Sequence, residues 1–219
     1  MGRFPDLWGI IFPRKCVFCG CLLETGQDAA CDSCLNDVTV FRYPDKEIPG
    51  VTEWTAVWHY DELVRKAILD YKFGGKQHYS RVFGRFLAEK IAASYLGRYD
   101  ILTYVPISFR RKLKRGYDQV LLLARSAGSF LGSEPVATLK KTRHNRAQSS
   151  LEEGSLRVKN VQGVYQAKTP GLVAGKRILL IDDIITTGAT VSECAKTLLA
   201  AGAAEVLCIA VAAGRGRNR

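Results

Sequence analysis

Ile178-Leu179-Leu180-Ile181-Asp182-Asp183-Ile184-Ile185-Thr186-Thr187-Gly188-Ala189-Thr190 decides the fold class of this 219-residue chain. Four apolar residues run up to two adjacent acids, a Thr-Thr-Gly turn follows, and a helix begins. Ligands of open α/β sheets sit at the carboxyl ends of the strands. The turn offers backbone amides and hydroxyls at a helix N-terminus, which suits a phosphate, and Gly188 permits close backbone approach. Two carboxylates repel a phosphate but accept hydrogen bonds from a pair of hydroxyls beside it. Acids next to a phosphate cradle therefore describe a ribose that carries a 5-phosphate. A lone capping Asp is the simpler explanation of a strand–turn–helix, but it leaves the second acid and the Thr-Thr-Gly loop unexplained.

Apolar and amphipathic segments alternate away from this stretch. Residues 54–60 predict a strand, and 61–71 predict a helix with Asp61 at its N-cap. Residues 79–96 predict a longer helix with Val82, Phe83, Phe86, Leu87, Ile91 and Tyr95 on one side. A short buried strand is expected at 101–105, a helix at 120–130, a strand at 177–181, a helix at 190–201 ended by Gly202, and a last strand at 205–212. Strands buried on both faces and separated by helices imply a mostly parallel sheet flanked by helices, an α/β fold. Residues 41–54, with Pro44, Pro49 and Gly50, read as a linker between a cysteine-rich module at 1–40 and a domain at 55–219.

The 101–105 strand leads into Pro106, Ile107 and Ser108, then into Arg110, Arg111, Lys112, Lys114 and Arg115. Five cations without an acid just past a strand end suit a diphosphate, and arginine gives fork-shaped contacts; a solvated basic loop is the alternative. A second basic stretch at 140–150 includes Lys140, Lys141, Arg143, His144 and Arg146. It predicts a long loop that closes over a site or meets nucleic-acid phosphates.

Five of the seven cysteines lie between Cys16 and Cys34. Cys16–Cys19 and Cys31–Cys34 are two CxxC pairs, the spacing of a closed tetrahedral zinc site of structural character, with disulfides or free thiols as the alternative. Cys21 breaks the paired spacing and is left out of the expected ligand set. Cys194 and Cys208 fall in a predicted helix and strand and are expected in the core. The net charge of +11 favours polyanionic partners. No segment approaches the ~18 apolar residues of a membrane helix, and the first residues lack a signal-peptide pattern, so a cytoplasmic location is expected.

Residues 178–190 closely resemble the 5-phosphoribosyl-1-pyrophosphate (PRPP) signature of type I phosphoribosyltransferases. The resemblance implies that Asp182 and Asp183 hold the ribose hydroxyls at the catalytic centre and that Thr186, Thr187, Gly188, Ala189 and Thr190 hold the 5-phosphate. The diphosphate falls to Pro106, Ile107, Arg111 and Arg115, with Mg2+ bridging it to the ribose. Together with the cysteine pairs, Tyr71-Lys72-Phe73-Gly74-Gly75-Lys76, Val105-Pro106, Arg115-Gly116-Tyr117-Asp118-Gln119, Arg146-Ala147-Gln148 and Arg157-Val158-Lys159-Asn160-Val161, the chain resembles the ComF family over nearly its whole length. That likeness implies a type I phosphoribosyltransferase fold with an N-terminal zinc-ribbon-like module that binds Zn2+ through Cys16, Cys19, Cys31 and Cys34. It further implies Mg2+-dependent phosphoribosyl transfer with pyrophosphate release, in natural competence, with single-stranded DNA and competence-machinery proteins as partners. The alternative is a non-catalytic single-stranded DNA-handling protein that uses PRPP or a related phosphate as a ligand. An acceptor base would be held by residues around 55–80 and 140–165.

Overall fold

A computed structural model of the protein describes residues 14–142 and 163–214. Arg143, His144, the Arg146-Ala147-Gln148 and 157–161 motifs, and residues 215–219 lie outside the described residues. The described strands are β1 (Glu53–His59), β2 (Ile101–Tyr104), β3 (Leu139–Lys141), β4 (Tyr165–Ala167), β5 (Arg177–Ile185) and β6 (Glu205–Ala213). The described helices are α1 (Asp32–Asp37), α2 (Glu62–Phe73), α3 (Tyr79–Tyr95), α4 (Phe109–Arg115), α5 (Gln119–Leu131), α6 (Pro170–Val173) and α7 (Ala189–Ala200).

Four strands form a parallel sheet in the order β1-β6-β5-β2. The apolar runs of β5 and β6 occupy its centre, as sequences buried on both faces must. Successive residues of β5 point to opposite faces. Leu179 and Ile181 join a core with α2, α3 and α5; Ile178 and Leu180 join another with α7. Helix α2 is capped by Asp61, whose carboxylate accepts from the Val64 amide at 3.0 Å, and it buries Val64, Ala67, Ile68 and Tyr71. The pair β3–β4 is antiparallel and lies outside the main sheet.

Several features differ from what the sequence led us to expect: β5 continues through Asp182 and Asp183 to Ile185 instead of ending at 181, and Lys140 and Lys141 of the expected loop belong to β3. The basic run after β2 is helical: Ser108 caps α4 by accepting from the Arg111 amide at 3.4 Å, and Gly116 ends it with φ +78°. Residues 41–54 are packed rather than free. Phe41 and Ile48 are buried in the core beneath α7, the Trp54 indole donates to the Lys46 carbonyl at 2.9 Å, and Ser192 of α7 donates to the Pro49 carbonyl at 2.7 Å. The cysteine module shares the other core, where Phe18 meets Trp58 edge to face with ring centroids 5.5 Å apart. No described helix is long and apolar enough to cross a membrane.

Candidate functional site

Strands β2 and β5 are hydrogen-bonded neighbours with Tyr104 opposite Ile181, so their carboxyl ends open side by side. A cavity of about 450 Å3 lies there, of the size that takes a small-molecule ligand. Asp182, Asp183, Thr186 and Thr190 line one part of it, and Pro106, Ile107, Arg111 and Arg115 another. Arg111 and Arg115 sit four residues apart and so share one face of α4. Arg110, Lys112 and Lys114 are exposed and do not line the cavity. Thr187, Gly188 and Ala189 complete the turn between β5 and α7 without lining it.

The turn is built for close approach. Gly188 takes the N-cap of α7 at φ +79° and carries no side chain to occupy the first-turn amides. A Cβ at that position would lie 2.9 Å from Ile48 Cγ1. The Lys46 ammonium donates to the Thr186 carbonyl from the same 41–54 segment.

The two acids differ. Asp183 accepts from Lys72 Nζ at 2.8 Å through one oxygen and from Gln119 Nε2 at 3.1 Å through the other. Burial raises the pKa of Asp183, but the Lys72 ammonium, the Gln119 amide and the Arg115 charge outweigh it and hold the acid below the usual carboxylate range. Among the described residues Asp182 has no such side-chain partner. It accepts from the Asp183 amide at 2.8 Å, and burial, reinforced by the neighbouring Asp183 charge, pushes it up to about 8.

Lys72, Gln119, Lys141, Tyr165, Tyr60 and Arg65 also line the cavity; none was singled out from the sequence as a site residue, although all but Gln119 fall in the 55–80 and 140–165 segments expected to hold an acceptor. Lys72 sits inside the quoted Tyr71–Lys76 motif, yet a lysine in the last turn of a helix looks like an ordinary complement to the helix dipole. Its placement comes from a buried bracket: the Tyr71 hydroxyl donates to the Gln119 carbonyl at 2.6 Å, and the Tyr117 hydroxyl donates to the Tyr71 carbonyl. Lys141 and Tyr165 are cross-strand partners in β3 and β4. Lys141 donates to the Tyr165 hydroxyl at 3.2 Å, and burial, aided by repulsion from Arg111, lowers it to about 8.

The cysteine module forms a second candidate centre. The sulfurs of Cys16, Cys19, Cys21 and Cys31 all lie within 4.8 Å of one another. Cys21, set aside on spacing, therefore belongs to the cluster. Gly20 turns the chain at φ +82° and the Cys16 amide donates to the Cys21 carbonyl at 2.8 Å, which folds Cys21 back beside the first pair. Cys34 is buried in the core and its thiol is within interaction range of Cys31, Cys19 and Cys16. The backbone amide of Cys21, followed by its thiol, lowers Cys19 to about 6, as suits a thiolate ligand. Such a thiol set fits a metal such as tetrahedral Zn2+.

A model of the phosphoribosyl transferase domain matches residues 113–219. Competence protein ComFC of Streptococcus pneumoniae is 31% identical over 198 residues, which are 87% of this chain and 84% of that protein. The chain belongs to the ComF family. Competence protein F of Haemophilus influenzae is 24% identical over 218 residues, 89% of this chain and 95% of that protein. DNA utilization protein YhgH of Salmonella typhi is 34% identical over 108 residues, 49% of this chain and 46% of that protein. This ComF chain carries the type I phosphoribosyltransferase fold, a parallel sheet flanked by helices with a ligand-sized cavity at its carboxyl edge.

Proposed function

We propose that this cavity binds PRPP with Mg2+ and transfers its phosphoribosyl group to a nitrogen acceptor, releasing pyrophosphate. The supporting observation is that one cavity gathers Asp182, Asp183, Thr186 and Thr190 opposite Pro106, Ile107, Arg111 and Arg115. Asp182 and Asp183, the catalytic pair, take the ribose hydroxyls, and the 186–190 turn takes the 5-phosphate with its backbone amides. Arg111 and Arg115 meet the diphosphate. Among the described residues the two acids are the carboxylates that line the cavity, and they suit a hard divalent cation. Asp182 and Asp183 would hold Mg2+, which would supply charge neutralisation for the departing diphosphate.

In the transfer, the acceptor nitrogen's lone pair forms a bond to the anomeric carbon. The bond from that carbon to the diphosphate oxygen breaks, its electrons leave with pyrophosphate, and the nitrogen loses its proton to water. The chain's part is to position both reactants and to hold cations where charge develops. Titration of PRPP into the wild type and into Asp182→Asn/Asp183→Asn tests the reading; equal binding by both sinks it.

A second reading is supported by the net charge of +11 and by a relative that is a DNA utilization protein. In it, the chain handles single-stranded DNA in natural competence, in the cytoplasm, with PRPP or a related phosphate as a ligand and competence proteins as partners. Phosphate contacts would give a steep negative dependence of DNA affinity on salt; a flat response counts against this reading. In both, Zn2+ bound by the cysteine module has a structural role.

A further inference from the structure

A second cleft lies away from the carboxyl edge of the sheet. It holds about 470 Å3, within the range that takes a small-molecule ligand, and shares no lining residue with the proposed ribose cavity. One wall is the cysteine module, which supplies Arg14 and Asp28. The other is α3, with Arg81, Val82 and Arg85, and Phe130 of α5 completes it. Helices α3 and α5 meet closely beside the cleft: a Cβ on Gly84 would lie 2.4 Å from the Ser126 Cβ. Arg81 and Arg85 are four residues apart on one face of α3, and Phe130 is one turn beyond Ser126. The close crossing therefore fixes the arginines relative to the ring.

The charge of this cleft is unbalanced. Three guanidiniums face one carboxylate. Asp28 takes Arg14 through one oxygen and lies 3.8 Å from Arg85 through the other. Glu89, outside the lining, takes the Arg85 Nε at 2.9 Å. Among the described residues the exposed Arg81 side chain makes no hydrogen bond or ion pair. Guanidiniums gathered in one cleft repel one another, and a phosphate, with several oxygens for fork-shaped donors, offsets that repulsion. Phe130 is 48% exposed and belongs to neither core. With Val82 it gives the cleft an apolar side. A ring at the edge of a cationic cleft can stack a base whose phosphate the arginines hold.

We infer that this cleft is a second ligand site that takes a nucleotide, with its phosphate among Arg14, Arg81 and Arg85 and its base on Phe130. The inference stands independently of the proposed ribose site. A free mononucleotide and one unit of a single strand share this chemistry.

Equilibrium binding to the full-length, zinc-loaded protein tests it, with AMP and thymidine 5′-monophosphate as free nucleotides and a short dT oligonucleotide as the strand. Adenosine serves as a base without phosphate, and ribose 5-phosphate as a phosphate without a base. At least one nucleotide probe should show a binding component that Arg81→Gln and Phe130→Ala each weaken by about tenfold, and that Phe130→Tyr keeps. Adenosine and ribose 5-phosphate should show this component at least about tenfold more weakly, since each engages only half of the cleft. Preference for the mononucleotides or for the oligonucleotide identifies the source. Asp182→Asn/Asp183→Asn should leave the component unchanged, which separates it from any binding at the ribose cavity. PRPP titration of the wild type reports on that cavity, and a failure there leaves this assay standing. The inference is overturned if Arg81→Gln and Phe130→Ala, checked for an unchanged melting temperature, bind every probe as the wild type does. It is also overturned if either control shows the component as strongly as the nucleotides.

Discussion

Replacing Lys72 by Met strands Asp183. The ammonium and carboxylate lie 2.8 Å apart with side chains 14% and 10% exposed. At that distance and an effective dielectric of about 20, their attraction is about 6 kcal/mol. Desolvation of both groups offsets much of this, so the pair's net worth is small while the loss of one partner costs about 3–5 kcal/mol. The Gln119 bond at 3.1 Å survives but brings no charge, and the Arg115 charge remains as a partial compensation. For a chain of this size the loss lowers the melting temperature by roughly 6–20 °C, at about 2–4 °C per kcal/mol. Asp183→Asn alone should cost less, because the Lys72 stem can turn its ammonium toward the cavity. The double variant removes both charges and should be more stable than the sum of the single losses predicts, with a coupling of about 2–3 kcal/mol. Urea unfolding of the four proteins at constant Zn2+ measures the cycle. Additive single losses, or a Lys72→Met cost under about 1 kcal/mol, would refute the claim that this pair is a closed buried contact.

Asp182 makes stability depend on pH. Its folded value of about 8 lies above the ordinary 3.8, so the folded state keeps a proton that the unfolded chain gives up. Stability should therefore fall as pH rises from about 4 to 8, with this acid's share at most about 1.4 kcal/mol per pH unit. Asp182→Asn should flatten that slope in urea melts, and an unchanged slope assigns it elsewhere. Gly188→Ala forces a side chain into φ +79° with its Cβ 2.9 Å from Ile48 Cγ1. It should cost about 1–3 kcal/mol, with part of the loss recovered in Gly188→Ala/Ile48→Ala; a wild-type melting curve for the single variant contradicts the packing. For the cysteine cluster, chelation should release about one Zn2+ per chain and lower the melting temperature. Zinc content of Cys21→Ser and Cys34→Ser decides which thiol is the fourth ligand, and full release from neither variant points to a shared role.

The β5–α7 segment was legible because everything it needs is contiguous: an apolar strand, two acids, a turn glycine and a helix. The parallel sheet followed from strands without polar alternation. Helix α4 was hidden because Phe109–Arg115 buries no side chain and so leaves no apolar period; its signals are only the cap at Ser108 and the stop at Gly116. Lys72 escaped because its partner is 111 positions away and nothing local marks a buried lysine. Cys21 escaped because pair spacing counts residues, whereas the hairpin at Gly20 brings sulfurs together through space. The 41–54 segment has the prolines of a linker, but Phe41 and Ile48 give it a buried face that its composition conceals.

The contact between the cysteine module and α2 has an effect on measurement. Lys66 of α2 donates to the Phe18 carbonyl at 3.3 Å, between Cys16 and Cys19, while Lys72 of the same helix holds Asp183 at 2.8 Å. One helix thus spans the cysteine cluster and the acid pair. If loss of a bound metal shifts Phe18 and the shift reaches Lys72 through α2, any change it makes in ligand affinity is matched by an equal change in metal affinity. Zinc affinity, read by equilibrium competition with a chromophoric chelator, should therefore differ with and without PRPP in the cavity, so a bound metal becomes a reporter of occupancy far from where the ligand sits. Identical zinc affinities with and without PRPP would show that α2 carries no free energy between its two ends.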